Sequence, residues 1–195
     1  MKRRALIVLG LSSLLAACAP TVTGPQQPPY PGPQLSLAVF PLSCDTRSCP
    51  LSVHNRLTDK LLSHLAQSAA FRLVEPPANR TVVTFNDQTV IATPGARPNS
   101  DLRLVGSITA FEPDLTSSVT KWPMSRLTVN LRVLDARSGE VIAIREIRAE
   151  ETAFSRPSVR SANVLEDRPM SDAVNTFLRQ AEQFLYAAAR SYRSR

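Results

Sequence analysis

Apolar and polar positions follow two different periods along this chain, and the first element they mark is an almost unbroken apolar run. Residues 35–42 read Leu-Ser-Leu-Ala-Val-Phe-Pro-Leu, bounded by Pro33 and a cysteine loop at Cys44, which predicts a strand covered on both faces. Beyond Pro50, which suits a first helical turn, Val53, Leu57, Leu61, Leu65 and Ala69 recur every four residues, with Arg56, Asp59 and Lys60 off that stripe. Phe71 to Val74 is a second short strand, ended by Pro76 and Pro77. These segments predict a strand–helix–strand unit with its two strands parallel and the helix on one face.

The second half changes to a period of two. In 101–111, Leu102, Leu104, Ile108 and Ala110 oppose Arg103, Ser107 and Thr109, and later Leu127, Val129, Leu131 and Val133 alternate with Thr128, Asn130 and Arg132. Asp135-Ala136-Arg137-Ser138-Gly139 then reads as a turn whose glycine suits a positive φ. In the return strand, expected over 140–149, Ile142, Ile144 and Ile147 break strict alternation, which predicts a bulge near Arg145. Together these make an antiparallel meander with one buried face. A small hairpin, 81–85 and 89–93 around Asn86-Asp87-Gln88, reads as an edge feature or flap. Residues 152–169 show no period, and long irregular segments are often functional or mobile. Ser171 is placed to cap a final helix striped with Val174, Phe177, Leu178, Ala181, Leu185 and Ala188. Arg190, Arg193 and Arg195 at its end complement the helix dipole or serve a lipid or partner contact. The predicted fold class is α/β: a mixed sheet from the strand–helix–strand unit plus the meander, with helices packed on it.

The N-terminus follows other rules. Lys2, Arg3 and Arg4 precede an apolar run over 5–17 that is too short to span a bilayer as a permanent helix. Leu15-Ala16-Ala17-Cys18, at that distance from the basic end, resembles the lipobox of bacterial lipoproteins. The resemblance implies cleavage of a signal peptide, 1–17, and acylation of Cys18 on its thiol and its amine, so that the chain is anchored to the membrane by lipid. An ordinary cleaved signal with an incidental cysteine is the alternative. Ala19 is not an aspartate, so nothing there resembles an inner-membrane retention signal, and the expected location is the outer membrane, facing the periplasm. Over 18–34, Pro20, Pro25, Pro28, Pro29, Pro31 and Pro33 stand among Gln, Thr and Gly with almost no charge. Such a segment stays extended and reaches about 50 Å at most, a tether for a single globular domain over 35–195.

Composition adds limits. The formal charge is +7, and the signal peptide would take three of those positive charges with it. An exported protein does not normally meet nucleic acid, which leaves lipid headgroups, cell-wall polymers and acidic protein faces as anionic partners. A basic surface with no dedicated partner fits the same numbers. Cys44 and Cys49 are spaced to close a small disulfide loop in an oxidising compartment, or to remain two free thiols. A zinc site would need His54 and a fourth ligand, and His64, ten residues further on, lies about 15 Å away along a helix, so no metal is expected.

Chemistry is hard to find. The six glycines are too scattered to build a phosphate-cradling loop, and no Gly-x-Ser-x-Gly occurs. Ser118-Val119-Thr120-Lys121 matches Ser-x-x-Lys, but it lies between strands, before Pro123, without the companion motifs. The acid pairs Glu150-Glu151 and Glu166-Asp167 are only neighbours in sequence. The expectation is a protein that is not an enzyme and needs no cofactor. Candidate partner-binding residues are Arg156 and Arg160 in the irregular segment, and Trp122, an aromatic on a polar loop that is either a binding anchor or a lid over the core.

Several strand and turn sequences carry a further resemblance. Leu37-Ala38-Val39-Phe40-Pro41-Leu42, the helical Leu57-Thr58-Asp59-Lys60-Leu61-Leu62, Phe71-Arg72-Leu73-Val74-Glu75, Leu104-Val105-Gly106-Ser107-Ile108 and Val133 to Ile142 with its Asp-Ala-Arg-Ser-Gly-Glu turn are similar to the family of CsgG, the curli secretion lipoprotein, and LpoB, the lipoprotein activator of penicillin-binding proteins. CsgG-like members assemble an outer-membrane pore from two membrane hairpins per subunit, each strand needing about 9–11 alternating residues. Glu112, Pro113, Asp114, Lys121 and Pro123 make 111–126 unsuited to that task, and 152–169 is no better. LpoB-like members bind a peptidoglycan synthase through a tethered soluble domain, a plan this chain matches with a shorter tether. The resemblance therefore implies a lipid-anchored, non-enzymatic envelope protein that binds and regulates or scaffolds another envelope protein, such as a penicillin-binding protein. The alternative is a subunit of a CsgG-like outer-membrane secretion complex, and assembly into an oligomer stays open.

Overall fold

The computed structural model describes residues 32–45, 49–76, 81–85, 88–92, 99–116, 122–152, 164–167 and 169–195. The first apolar run forms β1, Leu35–Val39, with all five residues buried. It does not continue to residue 42 as expected. Pro41 has no N–H to give a ladder, so the strand stops and a two-residue β2, Ser43–Cys44, resumes beside the same neighbour. The helix α1, Leu51–Leu65, buries Val53, Leu57, Leu61 and Leu65. Pro50 immediately precedes it in an extended conformation, and the helix ends before Ala69, which is exposed. The following β3, Phe71–Val74, pairs parallel with β1, as the strand–helix–strand reading requires.

A separate antiparallel hairpin follows, β4 (Thr81–Phe85) with β5 (Gln88–Ala92), its second strand starting one residue earlier than expected. The meander is β6 (Leu102–Thr116), β7 (Pro123–Asp135) and β8 (Val141–Thr152). The main sheet runs β3-β1-β6-β7-β8 with β2 also against β6; β1 and β6 are parallel, while β6, β7 and β8 are antiparallel.

Two expectations about this meander need correction. Much of 111–126 is strand, with Glu112 opposite Arg126, Leu115 opposite Met124 and Thr116 opposite Pro123. Pro113 falls inside a register shift and Pro123 heads its strand, the places where a missing N–H interrupts no ladder. The bulge lies at Ile142, because Val133 faces Ala143 while Leu134 faces Val141. Beyond it Ile147 and Ala149 point into the core and Ile144 points out. Gly139 has φ +75°, as the turn demanded, and the Asp135 carboxylate accepts hydrogen bonds from the N–H groups of Arg137 and Ser138 at 2.7 and 3.3 Å.

The chain closes with a single 3-10 turn, Val164–Glu166, and α2, Met170–Arg193. Ser171 is not its cap. The helix starts a residue earlier, where Met170 is buried, and the Ser171 N–H already bonds the Asp167 carbonyl at 2.8 Å. All six predicted stripe residues of α2 are buried. The stripes of α1 and α2 meet one face of the sheet in the main core, which includes Leu37, Leu104, Ile108, Leu131 and Ile147. Ala38, Phe40, Val105 and Leu134 form a smaller cluster on the opposite face.

Candidate functional site

The register of the sheet separates two ends. At one end lie the start of β1, the β7–β8 turn and the C-terminus of α2, where Arg195 is 2.9 Å from Glu140 and the Arg193 guanidinium contacts the Pro33 carbonyl. The segment read as a tether joins the domain here. At the other end, Thr116 faces Pro123 and Met124 faces Thr152. The fifteen residues of β6 span about 46 Å between these ends at the usual rise of a strand.

Trp122 stands at this distal end, next to Pro123, and is 42% exposed. Leu115 and Met124 are directly opposite each other beside it and half-buried. The strands beneath are braced by Arg126, whose Nη1 donates to Glu112 at 2.9 Å and whose Nε donates to Glu150. Arg148 also donates to Glu150, at 2.8 and 2.6 Å. These bonds, Arg148 first and then Arg126, hold the Glu150 carboxyl below the ordinary carboxylate range. On the inner side the fully buried Ser125 donates to the Pro113 carbonyl at 2.6 Å. One bulged carbonyl is thereby satisfied where the ladder slips.

Arg156 and Arg160 lie outside the described residues, as does Cys18. The chain nevertheless leaves β8 at Thr152, opposite Met124 and two residues from Trp122, so the segment carrying both arginines originates at the distal end. Cys44 and Cys49 are disulfide-bonded with their Cα atoms 6.1 Å apart, which ties the end of β2 to the start of α1.

An open groove of about 550 Å³ lies between α1, α2 and the end of β8, lined by His64, Glu151, Asp172, Asn175, Thr176, Leu178 and Arg179. Thr176 Oγ1 donates to Glu151 at 2.8 Å, Arg179 donates to Thr176 at 3.2 Å, and His64 Nε2 is 3.0 Å from Glu182. Within the lining, Glu151, Thr176 and Arg179 thus serve one another. Among the described residues no three His, Cys, Asp or Glu side chains are grouped to hold a metal. Glu151 was visible in the sequence only as half of an acid pair, because its partners come from other elements. Among the described residues no helix is long and apolar enough to cross a membrane.

No protein-family model matches this chain, and no curated protein sequence does. Solved structures match it at low identity. Protein XCC0632 from Xanthomonas campestris is 14% identical over 87% of this chain and 94% of its own, with a TM-score of 0.61. The hypothetical protein CT253 from Chlamydia trachomatis is 14% identical over 80% of this chain and 98% of its own, with a TM-score of 0.56. The likeness is one of fold. Lipoprotein GNA1162 from Neisseria meningitidis matches more loosely, 17% identical over 76% of this chain and 99% of its own at a TM-score of 0.43.

Proposed function

We propose that this chain is a lipid-anchored, non-enzymatic protein of the bacterial envelope that binds another envelope protein through the distal end of its sheet. Cys18 is the acylated residue, and the outer membrane, on its periplasmic side, is the location that Ala19 favours. The observation that carries the reading is the separation of the two ends: the tether joins at one, and exposed Trp122 stands at the other, about 46 Å away. A partner can therefore reach Trp122, Leu115 and Met124 without meeting the membrane. Large aromatics next to apolar neighbours are the usual anchors of protein interfaces, and Arg156 and Arg160 supply cations from the adjoining segment. The length of the sheet adds to the reach of a tether that is short by itself, which keeps a peptidoglycan synthase as the first partner to test.

A subunit of a secretion pore is the second reading, favoured by strands longer than the sequence suggested. Among the described residues, the part of the β6–β7 hairpin beyond Phe111 and Leu127, an opposed pair in the core, is 112–116 of β6 and 123–126 of β7, roughly half of what a spanning strand needs. The ion pair between Arg126 and Glu112 also falls within it. Partner binding is thus the better-supported reading.

Binding of the mature chain to purified penicillin-binding proteins tests it. Trp122→Ala should weaken binding about tenfold or more with an unchanged melting temperature. Intact binding with a lowered melting temperature would show Trp122 to be a structural lid and reject the distal site.

A further inference from the structure

The other end of the sheet path is an edge. Among the described residues β8 pairs with β7 alone, so one side of the strand presents backbone N–H and C=O groups to any strand that arrives. On the face away from the helices it carries, in order, Ile144, Glu146, Arg148 and Glu150, each opposite a β7 residue of that same face. Ile144 is 56% exposed, more than any other large hydrophobic among the described residues. Glu146 makes no ion pair with its own chain among the described residues, whereas Glu150 is held by both Arg126 and Arg148.

We propose that β8 pairs antiparallel with β8 of a second copy of this chain, across a two-fold axis at Ile147. Directly opposed residues of an antiparallel pair share a face, and a two-fold axis makes every contact occur twice. With the axis at Ile147, Glu146 faces the second copy's Arg148, whose guanidinium bonds its own Glu150 through Nε and Nη2 and has Nη1 left to give, and Arg148 faces its Glu146 in the same way. Ile144 then faces the second copy's Glu150, which its own arginines hold, and lies diagonal to Arg148, whose methylene stem covers it. Moving the axis to 146 or 148 sets Glu146 against Glu146, or Arg148 against Arg148. Moving it to Ala149 sets Arg148 against the second copy's Glu150, a pair that each chain already makes within itself, leaves Glu146 without a cation opposite it, and shortens the overlap to 146–152. The Ile147 axis engages 142–152, all of the strand beyond the start of the bulge.

Charges along an edge usually bar association. Here their alternation in sign rejects the neighbouring registers and most foreign strands while leaving this one open. The two distal ends point away from each other in such a dimer, so each keeps its Trp122 accessible. A tether of about 50 Å lets both lipids enter one membrane with the two sheets lying along it, so in the dimer the tethers alone set the distance from the membrane.

The test is the mass of the mature, lipidated chain in mild detergent, by light scattering after gel filtration. Two chains are expected. Glu146→Arg should raise the dissociation constant about tenfold or more, by opposing like charges twice, while the melting temperature measured at concentrations where both proteins are single chains stays unchanged. The double variant Glu146→Arg with Arg148→Glu should restore the dimer. A single chain at high concentration, a ring of more than two chains, a dimer indifferent to Glu146→Arg, or no recovery in the double variant would each overturn the proposal.

Discussion

Ser36 and Asp101 lock the first strand to the start of the third strand of the sheet path. The Ser36 backbone N–H and hydroxyl both donate to one carboxylate oxygen of Asp101, at 2.9 and 2.6 Å, and the Asp101 N–H lies 2.9 Å from the Ser36 hydroxyl. Partial burial disfavours the charged carboxylate, but the two bonds from Ser36, with Arg137 and Arg72 nearby, outweigh it and hold the carboxyl below its ordinary value. A carboxyl lowered on folding stabilises the fold above its unfolded value of about 3.9, and that contribution is lost as pH falls through the folded value. Asp101→Ala should cost about 1.5–3 kcal/mol at neutral pH, the range for hydrogen bonds to a charged group. Asp101→Asn should flatten the acid limb of stability against pH, and urea unfolding between pH 2 and 7 reads both effects. An acid limb identical to that of the wild type would reject the assignment.

Gly106, centre of the Val-Gly-Ser strand motif, is needed for space. A Cβ there would lie 2.9 Å from the Asn130 carbonyl oxygen and from a Leu42 methyl, and 2.7 Å from a Leu131 methyl. The methyl groups can turn aside, but the carbonyl belongs to the neighbouring strand and cannot. Gly106→Ala should therefore destabilise by about 1–3 kcal/mol, the usual range for an overpacked core, measured as a shift of the urea midpoint. A neutral result would show that β6 and β7 separate easily at this point.

The parts of the fold that could be read from the sequence are those whose pattern is local. Leu127 to Val133 alternate because one face of β7 is buried, and Leu57, Leu61 and Leu65 repeat because α1 lies flat on the sheet. Residues 112–116 and 123–126 extend the strands beyond the bounds that alternation alone suggests. Pro113 sits in a register shift, and Glu112 finds Arg126 fourteen residues away, which only the folded hairpin brings near. The bulge at Ile142 instead of Arg145 is a similar case, since only pairing with β7 decides which residue is extra. The site was legible as residue types and not as geometry. Trp122 could be named, but its place at the end opposite the tether depends on the strand order.

The disulfide closes a short loop between β2 and α1. In the chain-entropy account a loop of this length contributes about 2 kcal/mol. Replacing both Cys44 and Cys49 with Ser should lower stability by about that amount, and reductant should have the same effect on the native chain and none on the variant. Equal melting temperatures with and without reductant in the native chain would show the pair to be dispensable.

Ser125 tests whether the distal end must be rigid to bind. Ser125 is fully buried and donates to the carbonyl of half-buried Pro113 where β6 slips in register, so Ser125→Ala removes that carbonyl's side-chain donor while removing almost no volume. The expected cost is about 1–2 kcal/mol. Because Ser125 lies three residues from Trp122, the loss should appear first as faster amide exchange over 112–116 and 122–126, with β1 and α2 unaffected. If the distal end is the docking surface, binding should weaken more in Ser125→Ala than in Gly106→Ala, although both variants lose similar stability. Gly106 lies far down the hairpin, and its replacement strains the core without loosening the end. Equal binding losses in the two variants would mean that global stability governs the interaction, and the partner would have to be sought elsewhere on the sheet.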